Sequence, residues 1–282
     1  YRKQRFDFKS ASHHLYVPIS EHRIPLKKSP EIGWLSRLYS DQPEFFLPFT
    51  IVQGLNSSWQ WYTKGIKYPV LPHRLHPWYG TYFPTRFDHL FLFEKWLKRN
   101  ANSKESVIDM GAGSGVLTFM MIRHGYEHLS AVDIHPNALN SIHEDAERID
   151  CSQRISLVHS DLFDQVKQKA DLIVCNPPWL AAEHPPEGMD QAIFYEEEFF
   201  NRFFAQSLSV LNPGGKLLVF FSNIGLQADY QSIHPVTREL EEHNRFKKVN
   251  RYIKKVSSPS KKTRRRHNRD NEFVELWELE KV

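Results

Sequence analysis

From about residue 105 the apolar positions fall into strand-length runs separated by stretches with helical spacing. The strand-length runs are Ser106–Met110, Leu129–Ile134, Ile155–His159, Ala170–Cys175 and Lys216–Phe221. Each is short and dominated by apolar residues, as strands covered on both faces are. Between them Gly115–His124, Pro136–Ile149 and Gln191–Leu211 predict helices. Pro136 suits a first helical turn, and Asn212-Pro213-Gly214-Gly215 ends the third helix. Strands alternating with helices at this spacing predict an α/β fold built on a parallel sheet. After a further helix around Val236–His243, the β-like runs Phe246–Val256 and Phe273–Glu280 predict a C-terminal antiparallel hairpin.

The first 84 residues are different. They are rich in proline, histidine and aromatic residues, with Trp34, Trp59, Trp61 and Trp78, and show no sustained period of 2 or 3.6. We read 1–84 as a small N-terminal accessory region and 85–282 as the main domain. Phe45–Gln53 and Trp59–Lys64, flanking Gly54-Leu55-Asn56-Ser57-Ser58, suggest a small β element there. The four tryptophans are expected to build its core. A helix over Phe87–Lys98, apolar at Leu90, Phe91, Phe93, Trp96 and Leu97, is expected to lead into the main domain.

Composition excludes several classes. With 40% hydrophobic and 25% charged residues and no apolar run near the roughly 18 residues of a membrane span, a membrane protein is not expected. The first residue is Tyr1 rather than methionine, which leaves room for an upstream portion, and no targeting address is read from this end. Two cysteines, Cys151 and Cys175, provide neither a disulfide framework nor a metal site, and suit a reduced cytoplasmic protein. The histidines at 13, 14, 73, 76 and 89 lack ligand spacing and are expected at the surface or in packing.

Charge adds one local feature. The net charge is +4, yet Lys254, Lys255, Lys261, Lys262, Arg264, Arg265, Arg266 and Arg269 lie within sixteen residues that contain no acid. Without them the chain would be net acidic. A basic run in the hairpin loop is a candidate contact for the phosphates of RNA or for an acidic partner protein.

The candidate chemistry sits at the ends of the predicted strands. Val107-Ile108-Asp109-Met110-Gly111-Ala112-Gly113-Ser114-Gly115 is a buried strand that breaks into glycines and opens a helix, which lets backbone approach a ligand closely. Eighteen residues beyond Gly115, Asp133 ends the second strand, where a carboxylate can accept both ribose hydroxyls of an adenosine. Asp161, just after the third strand, can meet the adenine amino group, with Ile134 or Leu162 packing on the ring.

At the end of the fourth strand stands Asn176-Pro177-Pro178-Trp179. A planar nitrogen is a weak nucleophile because its lone pair is delocalised. A catalyst for it should hold the N–H groups on fixed acceptors and free the lone pair for attack. The Asn176 side-chain oxygen and the Pro177 carbonyl can be those acceptors, Pro177 and Pro178 stiffen the backbone, and Trp179 can stack on the target.

In this order the motifs resemble the class I S-adenosylmethionine-dependent methyltransferases, in the branch that carries Asn/Asp-Pro-Pro-aromatic. The likeness covers about residues 82–282. It implies a Rossmann-like seven-stranded methyltransferase sheet with the last strand antiparallel, S-adenosylmethionine as cofactor, and a planar nitrogen as methyl acceptor. For the cofactor it implies Asp109, Gly111, Ala112, Gly113, Gly115, Asp133, Ile134, Asp161 and Leu162, with Asp109 orienting the methionine amino group directly or through water. For catalysis it implies Asn176, Pro177, Pro178 and Trp179. No metal is needed, since the sulfonium already activates the methyl group.

The stretch Tyr79–Arg86 looks like the segment that in this branch leads into the catalytic domain and helps close the cofactor pocket. Two features depart from the glutamine-methylating members of the branch. Trp179 stands where tyrosine or phenylalanine is usual, and Leu180-Ala181-Ala182-Glu183-His184-Pro185-Pro186 lacks their pattern. The expected acceptor is therefore an exocyclic base amine of RNA, with a protein glutamine amide or a small molecule as alternatives. An inactive binding scaffold of the same fold is the non-enzymatic reading.

Overall fold

A computed structural model describes residues 12, 14–100, 106–182, 184, 191–227, 233–257 and 271–282. Lys261, Lys262, Arg264, Arg265, Arg266 and Arg269 of the basic run, and Glu183, Pro185 and Pro186 after the Asn-Pro-Pro-Trp loop, lie outside these residues, as does His13. The chain divides into two compact units. One takes the residues up to Ile66 together with His76–Gly80, and the other takes Lys67–Leu75 and Thr81–Val282.

In the first unit, strands β1 (Tyr16–Ser20) and β2 (Glu44–Pro48) pair antiparallel, from Tyr16 opposite Pro48 to Ser20 opposite Glu44. Helix α1 spans Trp34–Leu38 and helix α2 spans Phe49–Lys64. The β element expected across Phe45–Gln53 and Trp59–Lys64 is therefore corrected, because only its first residues form a strand and the rest is one helix. Val52, Leu55, Trp59 and Tyr62 repeat at intervals of three and four residues and turn one stripe inward, and that stripe outweighs the turn-like Gly-Leu-Asn-Ser-Ser between them. Gly54 is tolerated in mid-helix with only ordinary contact to Tyr79.

The core of this unit is aromatic. Trp34 is fully buried and meets Trp59, Tyr62 and Trp78 at ring separations of 5.3, 4.8 and 5.3 Å. The guanidinium of Arg37 lies over Tyr62 at 4.9 Å and over Trp78 at 5.4 Å. Trp61 stands apart from this cluster and is exposed.

The second unit holds a seven-stranded sheet. Its strands, continuing the numbering, are β3 (Ser106–Met110), β4 (His128–Asp133), β5 (Ile155–His159), β6 (Ala170–Cys175), β7 (Leu211–Ser222), β8 (Phe246–Lys255) and β9 (Phe273–Lys281). They lie in the order β8-β9-β7-β6-β3-β4-β5. All run parallel except β9, which pairs antiparallel with both β7 and β8. The sheet is Rossmann-like, with its C-terminal hairpin at one edge.

Burial follows position. The central strands β3, β4 and β6 are buried along nearly their whole length, whereas edge strand β5 has only half-buried and exposed residues. Edge strand β8 carries Lys247, Lys248, Arg251, Lys254 and Lys255, charges that oppose pairing with a further strand.

Helices α3 (Asp88–Arg99), α4 (Val116–Arg123), α5 (Pro136–Arg148) and α6 (Phe199–Val210) cover the sheet. Helix α6 is shorter than the expected Gln191–Leu211, because Phe194–Tyr195 instead pairs with Leu180–Ala181 as a short parallel ladder. On α3 the buried apolar stripe is Leu90, Leu92, Phe93, Trp96 and Leu97, and Phe91 faces outward, contrary to expectation. Among the described residues no helix is long and apolar enough to cross a membrane.

The hairpin is fastened by buried carboxylates. Glu275 accepts hydrogen bonds from Arg251 and from the Trp277 indole, each at 2.5 Å. Glu278 accepts from Lys216 at 2.7 Å and from Trp96 and Tyr252 at 3.2 Å. With exposures of 1% and 2%, these two anions are tolerated inside only because each has several donors.

Candidate active site

The chain order of the sheet fixes where a site can form. From β3 the chain runs outward through β4 and β5, then crosses back to β6 and runs outward the other way. The reversal lies between β3 and β6, and ligands bind open α/β sheets in the crevice at the strand ends beside such a reversal. Met110, the last residue of β3, is in register with Val132 on one side and Cys175 on the other. The next residues are Gly111 and Asn176. The glycine turn and the Asn-Pro-Pro-Trp loop therefore leave the sheet side by side.

Each glycine of the turn has its own reason. Gly111 has φ of 69° and nothing within 4 Å where a side chain would begin, so its face is open. The amides of Gly111 and Ala112 both donate to the Val132 carbonyl, at 2.9 and 3.0 Å. At Gly113 (φ 53°) a β-carbon would approach the Tyr82 carbonyl to 3.0 Å, and the Ser114 amide donates to that same oxygen at 3.0 Å. Gly115 caps α4 in the left-handed region (φ 76°), where a β-carbon would lie 2.7 Å from Cγ1 of Ile142. Gly115→Ala is expected to cost about 2 kcal/mol, from left-handed strain plus overpacking. A thermal melt several degrees lower checks this, and an unchanged melt contradicts it.

Asp133 ends β4 and is 7% exposed. Its two oxygens accept from the Gly113 and His135 amides, each at 2.8 Å, which fixes the carboxylate beside the turn and leaves each oxygen capacity for a further donor. Burial raises its carboxyl above the ordinary range, against the lowering effect of those amides. Asp109 is fully buried in β3; one oxygen accepts from the Thr118 hydroxyl at 2.5 Å, and the other has no protein partner. Burial pushes it up to about 7, only partly countered by Thr118.

The remaining predicted cofactor residues differ in setting. Ile134 is 46% exposed just beyond β4, open for an aromatic ring. Leu162 adopts a positive φ of 46° and is buried in the core with Met110 and Val132. Asp161 is exposed and ion-paired to Arg202 at 2.7 Å.

In the Asn-Pro-Pro-Trp loop Pro177 is buried, while Asn176, Pro178 and Trp179 are half-buried. The Asn176 side-chain oxygen and the Trp179 indole nitrogen are both buried without a protein partner. Trp179 meets His89, near the start of α3, edge to face at 5.8 Å and 90°. Burial lowers the His89 imidazole to about 4, which keeps it neutral.

Tyr82, within the segment expected to close the pocket, meets the turn through its backbone carbonyl, for which its side chain gives no signal. His89 escaped sequence reasoning, because it meets Trp179 through its place on a helix and not through motif spacing. Its neighbour Asp88 accepts from the Ser257 hydroxyl at 2.8 Å and lies 3.7 Å from the Lys254 ammonium, which ties the root of the basic run to the start of α3. Among the described residues no group of three or more His, Cys, Asp or Glu side chains is arranged to hold a metal.

The sequence matches the methyltransferase small domain family over residues 90–253. It is 32% identical over 130 residues to a ribosomal protein uL3 glutamine methyltransferase of Neisseria gonorrhoeae, covering 40% of this chain and 42% of that protein. It is 31% identical over 100 residues to a bifunctional methyltransferase of Rickettsia bellii, covering 35% of this chain and 18% of that protein. A ribosomal protein L11 methyltransferase of Alkaliphilus metalliredigens is 34% identical over 80 residues, 28% of this chain and 25% of that protein. In each case the matched stretch spans less than half of the relative's length.

Proposed function

Because the chain belongs to the methyltransferase small domain family, whose members use S-adenosylmethionine as methyl donor, we propose that it methylates a planar nitrogen held by the Asn-Pro-Pro-Trp loop. The observation that carries this is the register of Met110 with Cys175, which sends Gly111 and Asn176 out of the sheet as neighbours. The cofactor and its acceptor then share one crevice.

The residues of the crevice fit an adenosyl group. Gly111 offers open backbone, Asp133 has acceptor capacity for two ribose hydroxyls, and Ile134 is exposed for the adenine ring. Asp109, with one oxygen unpaired inside the protein, orients the methionine amino group directly or through water. When bound, S-adenosylmethionine supplies a methyl carbon already activated by its sulfonium. The protein's work is positioning and electrostatics. Asn176 Oδ1 and the Pro177 carbonyl accept the N–H groups of the target, which turns the nitrogen lone pair toward that carbon. With the donor bound, the N–C bond would form as the methyl C–S bond breaks, the sulfur leaving as a neutral thioether and the proton lost from the nitrogen passing to solvent water.

We assign the acceptor to an exocyclic amine of an RNA base. The support is the basic run whose root, Lys254 to Ser257, is tied to Asp88 beside His89 and Trp179. A second reading, a protein glutamine amide, is favoured by the likeness to the Neisseria uL3 glutamine methyltransferase. Methyl-labelled cofactor incubated with cell extract separates the two: the label is expected in material destroyed by ribonuclease. Label that survives ribonuclease and is lost with protease would sink the RNA assignment.

A further inference from the structure

Buried polar atoms in folded proteins are nearly always paired, since an unpaired one keeps the cost of its lost water. Two such atoms stand on the catalytic loop, Asn176 Oδ1 and Trp179 Nε1. They are of opposite kind. The asparagine oxygen only accepts and the indole nitrogen only donates. A planar group entering the loop satisfies both if its N–H has an acceptor atom for a neighbour. Phenylalanine at position 179 would offer no donor, and tyrosine would carry its hydroxyl further out on a different axis. Because that N–H lies in the indole plane, it reaches the target only where the two rings meet edge to edge, so here the indole donates to the target instead of stacking on it. Its plane is held from the side by His89, which is 3% exposed and itself packs edge-on against Phe220 at 5.9 Å.

Resting on the methyl-transfer reading above, we propose that the Trp179 indole N–H donates to the ring nitrogen that neighbours the reacting exocyclic amine, with His89 as the positioning residue that sets the indole plane. Asn176 reads the amine and Trp179 reads the atom beside it. The pair selects an amidine-like base edge over a simple amine, which has no acceptor to offer.

The indole N–H resonance of Trp179, assigned by its loss in Trp179→Phe, tests this in nitrogen-15-labelled full-length protein. The cofactor pocket is saturated with S-adenosylhomocysteine so that nucleotide probes cannot occupy it. Adenosine or cytidine 5′-monophosphate is expected to move the resonance downfield, and benzylamine to leave it in place. If adenosine 5′-monophosphate moves it, the 1-deaza or the 7-deaza analogue is expected to fail, which also identifies the ring nitrogen. No movement with either nucleotide, or movement retained with both deaza analogues, overturns the proposal. So does movement with N-acetylglutaminamide alone.

His89→Ala is expected to weaken nucleotide binding about tenfold with cofactor affinity unchanged, and His89→Phe to restore it by replacing the ring. Equal loss of cofactor and nucleotide binding in His89→Ala overturns the positioning role. None of these readouts depends on methyl transfer, so a failure of the transfer reading would show separately in the labelling experiment.

Discussion

Asn176→Ala is expected to slow methyl transfer by about a hundred- to a thousandfold, the scale on which removal of one preorganised polar contact acts in other enzymes. The loss has a specific origin. Asn176 Oδ1 is buried, has no partner inside the protein, and follows directly on a strand whose neighbours fix its position to either side. Without that oxygen the target nitrogen keeps its lone pair delocalised and its N–H unheld. The glycine turn is expected to be untouched, because among the described residues no hydrogen bond of Gly111, Gly113 or Asp133 passes through Asn176. Single-turnover transfer and calorimetric cofactor affinity, measured together, check this. Loss of cofactor binding in step with transfer would assign the loop a structural role instead.

Asp133→Ala should produce the complementary result, a cofactor affinity lower by about a hundredfold or more. Each hydrogen bond to a charged group is worth roughly 1.5–3 kcal/mol, and two hydroxyl contacts are lost while two backbone amides lose their partner. Asp133→Asn keeps one acceptor oxygen and should lose less. A pH series adds a sign. Burial raises the Asp133 carboxyl, so on acidification it protonates before an ordinary aspartate does, and cofactor affinity falls. The Asp133→Ala variant should lack the part of that fall that Asp133 causes and keep any part due to Asp109, which burial pushes up to about 7. For folding stability the sign is reversed: a carboxyl raised in the folded state contributes fully below its unfolded pKa and loses that contribution as pH rises through the folded one. Equal cofactor affinities in the two proteins across the series would remove Asp133 from the site.

Much of the second unit was legible because its strands are short, almost wholly apolar and punctuated by glycine and proline. β3, β5 and β6 begin and end where the apolar runs do. The misjudged elements share one cause, which is that the deciding information lay elsewhere in the chain. Helix α2 hides its stripe behind Gly54 and three polar residues, and only packing against Trp34 shows why that stripe matters. Residues 194–195 become strand only because Leu180–Ala181 offers an edge. Motif spacing pointed to Asp133 and Asn176, which the fold brings to one edge of the sheet. It gave no sign of the Tyr82 carbonyl that receives the Ser114 amide, or of His89, which meets Trp179 from α3.

The register between β3 and β6 also bears on how this protein comes into being. Gly111 and Asn176 are sixty-five residues apart in sequence, yet they leave the sheet as neighbours. Contacts between distant residues form slowly, because the intervening chain must first be closed into a loop. A chain emerging from the ribosome thus exposes its glycine turn and Asp133 long before β6 arrives to wall the crevice. The crevice is therefore walled on both sides only in a chain that has paired β6 with β3.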